Sequence, residues 1–218
     1  VNPLLQPVLE RPAQGDAQGL VVLLHGVGSN EQSLVPLASA IDPRLHVLLP
    51  RGPVVFGPQA FGWFTVRFDA QGPVIDPAQA ETSRLLLADW LAGQQQRLGL
   101  DARQTALAGF SQGGIMAASV ALTQPQRVTS FVILCGRILP EIAPSIPTDV
   151  GHAGLDALVV HGYDDDKLPY SLAEAASRRL QALGVAHQLR GYLVGHALSA
   201  DMQRDTLAWL ERRLLSRS

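Results

Sequence analysis

The chain has a single cysteine, Cys135, so no disulfide can form within it. Such sparing use of cysteine fits a reducing compartment. The thiol ends the apolar run Phe131-Val132-Ile133-Leu134 with no basic residue immediately before it, which is the setting of a buried, inert thiol rather than a nucleophile. No stretch reaches the roughly 18–20 unbroken apolar residues of a membrane span. The segment Val1 to Glu10 has neither the basic start nor the apolar core of a secretory signal. The expectation is a cytoplasmic protein without stable membrane insertion. An excess of one charge is also missing: 17 Lys and Arg face 19 Asp and Glu. The arginine pairs Arg178–Arg179 and Arg212–Arg213 lie in helical patterns, where they read as solvated faces, so there is no nucleic-acid footprint. With no repeat, low-complexity tract or dividing linker, residues 1–218 are expected to form a single domain.

What is present is apolar material and turns. Hydrophobic residues make up 47% of the chain against 17% charged, and 20 Gly and 15 Pro break it often. Short apolar runs alternate with helical patterns. Leu20 to Leu24, Val47 to Leu49, Thr105 to Phe110, Phe131 to Leu134 and Ala157 to Val160 read as buried strands, and Gln188 to Val194 as a more mixed one. Their lack of polar alternation suits a parallel sheet covered on both faces. Helices are expected at about Ser33 to Ile41, Ala78 to Leu98, Gln112 to Thr123, Pro169 to Leu183 and Ser199 to Leu215. Asp76-Pro77 is a helix start and Gly184 a helix stop. In the last helix Leu207, Leu210 and Leu214 share one face, flanked by Trp209, and read as core. The fold class is therefore α/β, a mostly parallel doubly wound sheet flanked by helices. In such sheets the site lies beyond the carboxyl ends of the strands.

The residues after those strands carry the chemistry. Gly109-Phe110-Ser111-Gln112-Gly113 follows a strand and opens an Ala-rich helix, the context of a G-x-S-x-G nucleophile elbow. Side chains two residues either side of the serine would strike so tight a turn, hence the glycines. A serine hydroxyl needs a base. Of the six histidines, His196 lies between the last strand candidate and the last helix, where a loop can carry it over Ser111. His25 and His161 end strands and precede glycine, and read as loop-shaping; His46, His152 and His187 read as surface or capping residues. A carboxylate between serine and histidine in sequence should orient the imidazole. Gly162-Tyr163-Asp164-Asp165-Asp166 supplies it, and spacing alone does not choose among the three aspartates. Backbone N–H groups of Gln112 and of Val27, in His25-Gly26-Val27-Gly28-Ser29-Asn30, are the oxyanion-hole candidates. That loop lacks the Lys-Ser/Thr ending of a P-loop and the third glycine of a dinucleotide fingerprint, and no spacing of ligating residues suggests a metal. The aromatic cluster Phe56, Phe61, Trp63, Phe64 and Phe68 either packs on the body or lines an acyl pocket; Trp63 and Phe64 are the substrate-binding candidates.

Taken in order, Leu24-His25-Gly26-Val27-Gly28-Ser29-Asn30-Glu31, Arg51-Gly52-Pro53, Gly62-Trp63-Phe64, Gly109-Phe110-Ser111-Gln112-Gly113-Gly114, His161-Gly162 with its aspartates and Gly195-His196 resemble the phospholipase/carboxylesterase family, which includes acyl-protein thioesterases. The resemblance covers nearly the whole chain. It implies an α/β-hydrolase fold without a large cap domain, a shallow apolar groove and no cofactor. It also implies the fifth residue of a His-Gly-x-x-Asp motif as the acid, here Asp165. Cys135-Gly136 departs from the small residue, such as serine, expected before that glycine, and the Pro- and Ile-rich stretch Ile138 to Gly154 matches nothing in the family pattern. The expected activity is serine carboxylesterase action on small to medium acyl esters, with lysophospholipase or acyl-protein thioesterase activity as alternatives. A ligand-binding relative without turnover is the rival from another class. The expected partner is a small-molecule acyl ester, and a homodimer is compatible with the sequence.

Overall fold

The computed structural model of the protein describes residue 5 and residues 8–69 and 72–216. In chain order the elements are β1 (Val8–Arg11), β2 (Gly19–Leu24), α1 (Val35–Ala40), β3 (Leu45–Pro50), β4 (Val54–Gly57), β5 (Ala60–Gly62), β6 (Val66–Asp69), β7 (Gly72–Ile75), α2 (Pro77–Leu98), β8 (Thr105–Phe110), α3 (Gln112–Thr123), β9 (Ser130–Leu134), β10 (Asp156–Gly162), α4 (Ser171–Ala182), β11 (Ala186–Tyr192) and α5 (Ala200–Leu215). Seven strands form one sheet in the order β1-β3-β2-β8-β9-β10-β11. β1 runs antiparallel to β3, and the other pairings are parallel. The expected mostly parallel, helix-flanked sheet is what forms.

Alternation along each strand divides the core into two layers. Leu20, Val22 and Leu24 of β2 join Leu87 and Trp90 of α2, Met116 of α3 and Leu180 of α4. Val21 and Leu23 point the other way, to Leu37 of α1 and to Met202, Trp209 and Leu210 of α5. Both faces of β2 are therefore dry, which is why its sequence shows no polar alternation. All twelve residues of α3 are buried, and its small residues let it lie close to the sheet centre. Asp76 caps α2 by accepting the Gln79 N–H, with Pro77 in the first turn; Gly184, at φ +71°, ends the turn after α4. Trp209 is itself core rather than a flank of the leucine stripe.

Three features depart from the expectations. β1 is added as an antiparallel edge strand. Two hairpins, β4–β5 and β6–β7, form around the aromatic cluster and before α2, where the sequence reading places no strand. Ile138 to Gly154 folds as two 3₁₀ turns, Pro140–Ser145 and Val150–His152, anchored by buried Leu139, Ile142 and Val150. Among the described residues no helix is long and apolar enough to cross a membrane.

Candidate active site

The turn between β8 and α3 holds Ser111 at φ 54°, ψ −117°, a conformation that non-glycine residues rarely adopt. Packing enforces it. A Cβ on Gly109 would strike the main chain of Gly113, and one on Gly113 would strike the main chain of Leu24 in the neighbouring strand. The Ser111 N–H donates to the Leu134 carbonyl at 2.7 Å, tying the turn to β9. The serine is thereby lifted beyond the carboxyl end of β8, and its hydroxyl meets a histidine.

That histidine is His196, on the loop between β11 and α5. Its Nε2 lies 3.0 Å from Ser111 Oγ, and its Nδ1 lies 2.7 Å from Asp165 Oδ2. The Phe110 ring packs against the imidazole with centroids 4.9 Å apart, which limits its rotation. Asp165 is the middle aspartate of the turn after β10 and its side chain has no solvent exposure. Its Oδ1 accepts the N–H groups of Lys167 at 2.9 Å and Leu168 at 2.8 Å. Asp164 and Asp166 are exposed, and Asp166 pairs with Lys167. A carboxylate at Nδ1 requires the neutral ring to carry its proton there, leaving the Nε2 lone pair facing the serine hydroxyl. Such a relay can take the hydroxyl proton as the oxygen attacks an electrophile.

His25 and His161 shape the loops, as their positions after β2 and within β10 suggested. His25 Nδ1–H donates to the Gly26 carbonyl at 2.8 Å, and its Nε2 accepts the Gly52 N–H at 2.9 Å. Burial pushes His25 below its ordinary value, so it stays a neutral clamp. His161, with no exposure, directs Nε2 to the Leu168 carbonyl at 2.7 Å and lies 3.2 Å from Asp165 Oδ2; burial lowers it too. Of the other three, His46 bonds Glu10 at 2.6 Å, His187 bonds Ser177 and Val185, and His152 ends a 3₁₀ turn.

Val27 and Gln112 both border the cavity around Ser111. Gln112 opens α3, so its N–H has no acceptor within the helix. The Val27 loop is pinned from outside: Gly28 N–H donates to the Phe61 carbonyl at 2.8 Å, and Phe61 N–H to the Ser29 carbonyl at 2.7 Å. Arg51 completes the brace with two 2.6 Å bonds to Glu31, which hold that carboxyl below its usual range.

The cavity measures about 500 Å³. Phe64, Val66, Pro73, Ile75, Ile115 and Leu168 make its wall largely apolar. Phe64, one of the two substrate-binding candidates, lies on this wall. Trp63 does not: it is wholly buried and off the cavity wall, with its indole N–H donating to the His25 carbonyl at 3.0 Å. The ring turns inward because the partner for its N–H lies there. Phe61 is buried under Arg51, Phe56 is exposed, and the Phe68 side chain lies outside the described residues. One contact had no signal in the sequence: the Gln112 side chain accepts the Trp63 N–H at 2.7 Å and donates to the Phe64 carbonyl at 2.7 Å. Cys135 is buried in a left-handed conformation, φ 49°, and burial pushes its thiol up to about 12, so it is inert as expected.

A mostly parallel sheet wrapped on both faces, with a strained strand-to-helix serine and a histidine and an aspartate on later loops, defines an α/β-hydrolase. A model of the phospholipase/carboxylesterase family matches residues 7–213, and the chain belongs to that family. Relatives are named accordingly. The Escherichia coli (strain K12) esterase YpfH is 29% identical over 180 residues, covering 77% of this chain and 71% of its own length. An acyl-protein thioesterase 1 from Eremothecium gossypii is 28% identical over 209 residues, covering 88% and 87%. Among solved structures, esterase PE8 superposes with a TM-score of 0.78 at 30% identity, covering 96% and 98% of the two chains.

Proposed function

We propose that the chain is a serine carboxylesterase that hydrolyses small to medium acyl esters through an acyl-enzyme. The observation that supports this most is the hydrogen-bonded series Ser111–His196–Asp165 opening into an apolar cavity. In this reading Ser111 Oγ attacks the ester carbonyl carbon while His196 Nε2 takes its proton. The carbonyl oxygen becomes an oxyanion held by the Val27 and Gln112 N–H groups, at a helix N-terminus whose dipole favours negative charge. As the tetrahedral intermediate collapses, His196 returns the proton to the leaving alkoxide. Water then repeats the sequence on the acyl-serine, releasing the acid and the free hydroxyl. Asp165 keeps the imidazole in the required tautomer and stabilises it when charged. Phe64 and the hairpin residues Val66 and Ile75 contact the acyl chain. No step in this scheme calls for a cofactor. A thioester of an acylated protein could enter the same cycle, a reading supported by the thioesterase name of the Eremothecium gossypii relative.

The test is Ser111→Ala together with labelling by a fluorophosphonate. Loss of a triad serine typically costs on the order of 10⁶ in kcat. The expected outcome is stoichiometric labelling of the wild type at Ser111 and none of the folded variant. A wild-type protein that takes no label and turns over no ester would mean a ligand-binding relative instead.

A further inference from the structure

Arg137 stands in the wall of the cavity that holds Ser111. It follows Gly136, which runs so close to the serine that a Cβ there would come within 2.9 Å of the Ser111 carbonyl oxygen. The chain thus delivers the arginine directly beside the elbow. Its Nε is buried and has no hydrogen-bond partner among the described residues. Glu141 acts on it only through space, and burial pushes the guanidinium below its ordinary value. It stays charged nonetheless, because arginine does not lose its proton in proteins. The other charged side chain on this wall is Lys167, whose Nζ reaches Asp166 at 3.2 Å in an exposed pair of little strength. No aspartate or glutamate among the described residues borders the cavity, although acids outnumber bases in the chain.

A purely apolar acyl chain gains nothing from a half-buried guanidinium, and the cost of drying it is offset only through space by Glu141, with no carboxylate hydrogen-bonded to it among the described residues. A ligand that brings the counter-charge removes that cost and is held by a forked, charge-assisted contact. We infer that Arg137 binds an anionic group of the substrate, so that the ester turned over at Ser111 carries a carboxylate or phosphate near its scissile bond. The inference rests on the serine-esterase reading and narrows its substrate class. Arg137 also borders a second cavity of about 430 Å³ that holds Arg179, and the test must separate the two.

Two matched pairs of esters do this. In one the anion is on the acyl side: p-nitrophenyl hydrogen glutarate against p-nitrophenyl valerate. In the other it is on the alcohol side: 1-butyrylglycerol 3-phosphate against 1-butyrylglycerol. The quantity read is the ratio of kcat/KM within each pair, which cancels general damage to the site. The wild type should prefer the anionic member of one pair by at least about tenfold, as expected of a charge-assisted contact. Arg137→Gln should abolish that preference and Arg179→Gln should leave it. Equal rates within both pairs, or a preference that survives Arg137→Gln, or one lost in Arg179→Gln alone, would overturn the inference. Should Arg137→Gln not fold, Arg137→Lys decides: an ammonium cannot make the forked contact, so the ratio should drop severalfold, and an unchanged ratio counts against it. Failure of the esterase reading would show separately, as no turnover of any of the four esters. Calorimetric titration of glutarate and glycerol 3-phosphate then tests the anion site alone, where binding lost in the Arg137 variant supports it and no binding to the wild type refutes it.

Discussion

Asp164, Asp165 and Asp166 occupy one turn, and their surroundings could hardly differ more. The middle one is buried, accepts two main-chain N–H groups through Oδ1 and reaches His196 through Oδ2; its neighbours face solvent. Converting Asp165 to Asn keeps the shape but removes the charge and the tautomer control, a loss of about 10⁴ in kcat in a well-studied triad. The amide would also present an N–H₂ group where either two donors or the imidazole N–H now point. Asp165→Asn is therefore expected to be nearly inactive at normal folding. Asp164→Asn and Asp166→Asn should stay within about tenfold of wild type, a barrier change of about 1.4 kcal/mol. Values of kcat/KM with circular dichroism melts for all three variants decide it. A dead Asp166→Asn beside an active Asp165→Asn would move the acid to the exposed end of the turn.

At the scale of elements, α3 anchors more than the serine. The Gln112 side chain bonds main-chain groups of Trp63 and Phe64 on either side of the peptide joining them. It thereby fixes the segment that carries Phe64 into the cavity wall. Gln112→Ala leaves a buried N–H and a buried carbonyl without partners, at about 1–3 kcal/mol each. Chemical denaturation should report a loss of roughly 2–6 kcal/mol, together with a higher KM for a hexanoate than for an acetate ester as the wall loosens. An unchanged midpoint and unchanged KM values would show that the segment is held instead by its own packing and by Ser83 of α2, whose hydroxyl donates to the Trp63 carbonyl. This contact also marks what the sequence could and could not reveal. Strands β2, β8 and β9 were legible because both their faces are dry, and the serine elbow because only glycines fit around it. His196 was legible from its place between a strand and a helix. The residues alone left three aspartates equal, since burial is a tertiary property, and family resemblance chose Asp165. The hairpins β4–β5 and β6–β7 escaped notice because strands of three or four residues broken by Gly and Pro carry too few positions to show a period of two. Trp63 and Phe64 were indistinguishable as neighbours in an aromatic cluster. What separates them is a single acceptor, the His25 carbonyl, which draws the indole inward.

For the whole molecule, two neutral histidines sealed in the body set its response to acid. His25 is 1% exposed and its Nε2 accepts the Gly52 N–H, so a proton added there would face another donor. His161 is 0% exposed, and its Nδ1 has no partner among the described residues to receive a new N–H. Burial lowers both in the folded state. In the unfolded chain both titrate near the ordinary imidazole value of about 6.5. Below that pH the unfolded chain binds protons that the folded protein refuses, so stability falls as pH falls, and the decline ends at the depressed folded-state values. With both unfolded histidines charged and both folded ones neutral, the slope reaches about 2.7 kcal/mol per pH unit. The carboxylates held low by arginine, Glu31, Asp42, Glu81 and Asp101, lose their contribution only at lower pH, as it falls from the ordinary carboxylate range through their lowered values. Asp156, raised by burial, works in the opposite sense, but it is one group against two. Urea unfolding between pH 7.5 and pH 5 should therefore show a stability plateau that bends downward from about pH 6.5, well above the pH at which carboxylates begin to protonate. His161→Asn, which removes one of the two groups while keeping an N–H donor, should lower stability at pH 7.5 and flatten the slope by up to half. Stability that stays level to pH 5 would mean that the folded protein admits protons at both sites, through motions of the His25 and His161 loops that expose the rings to water.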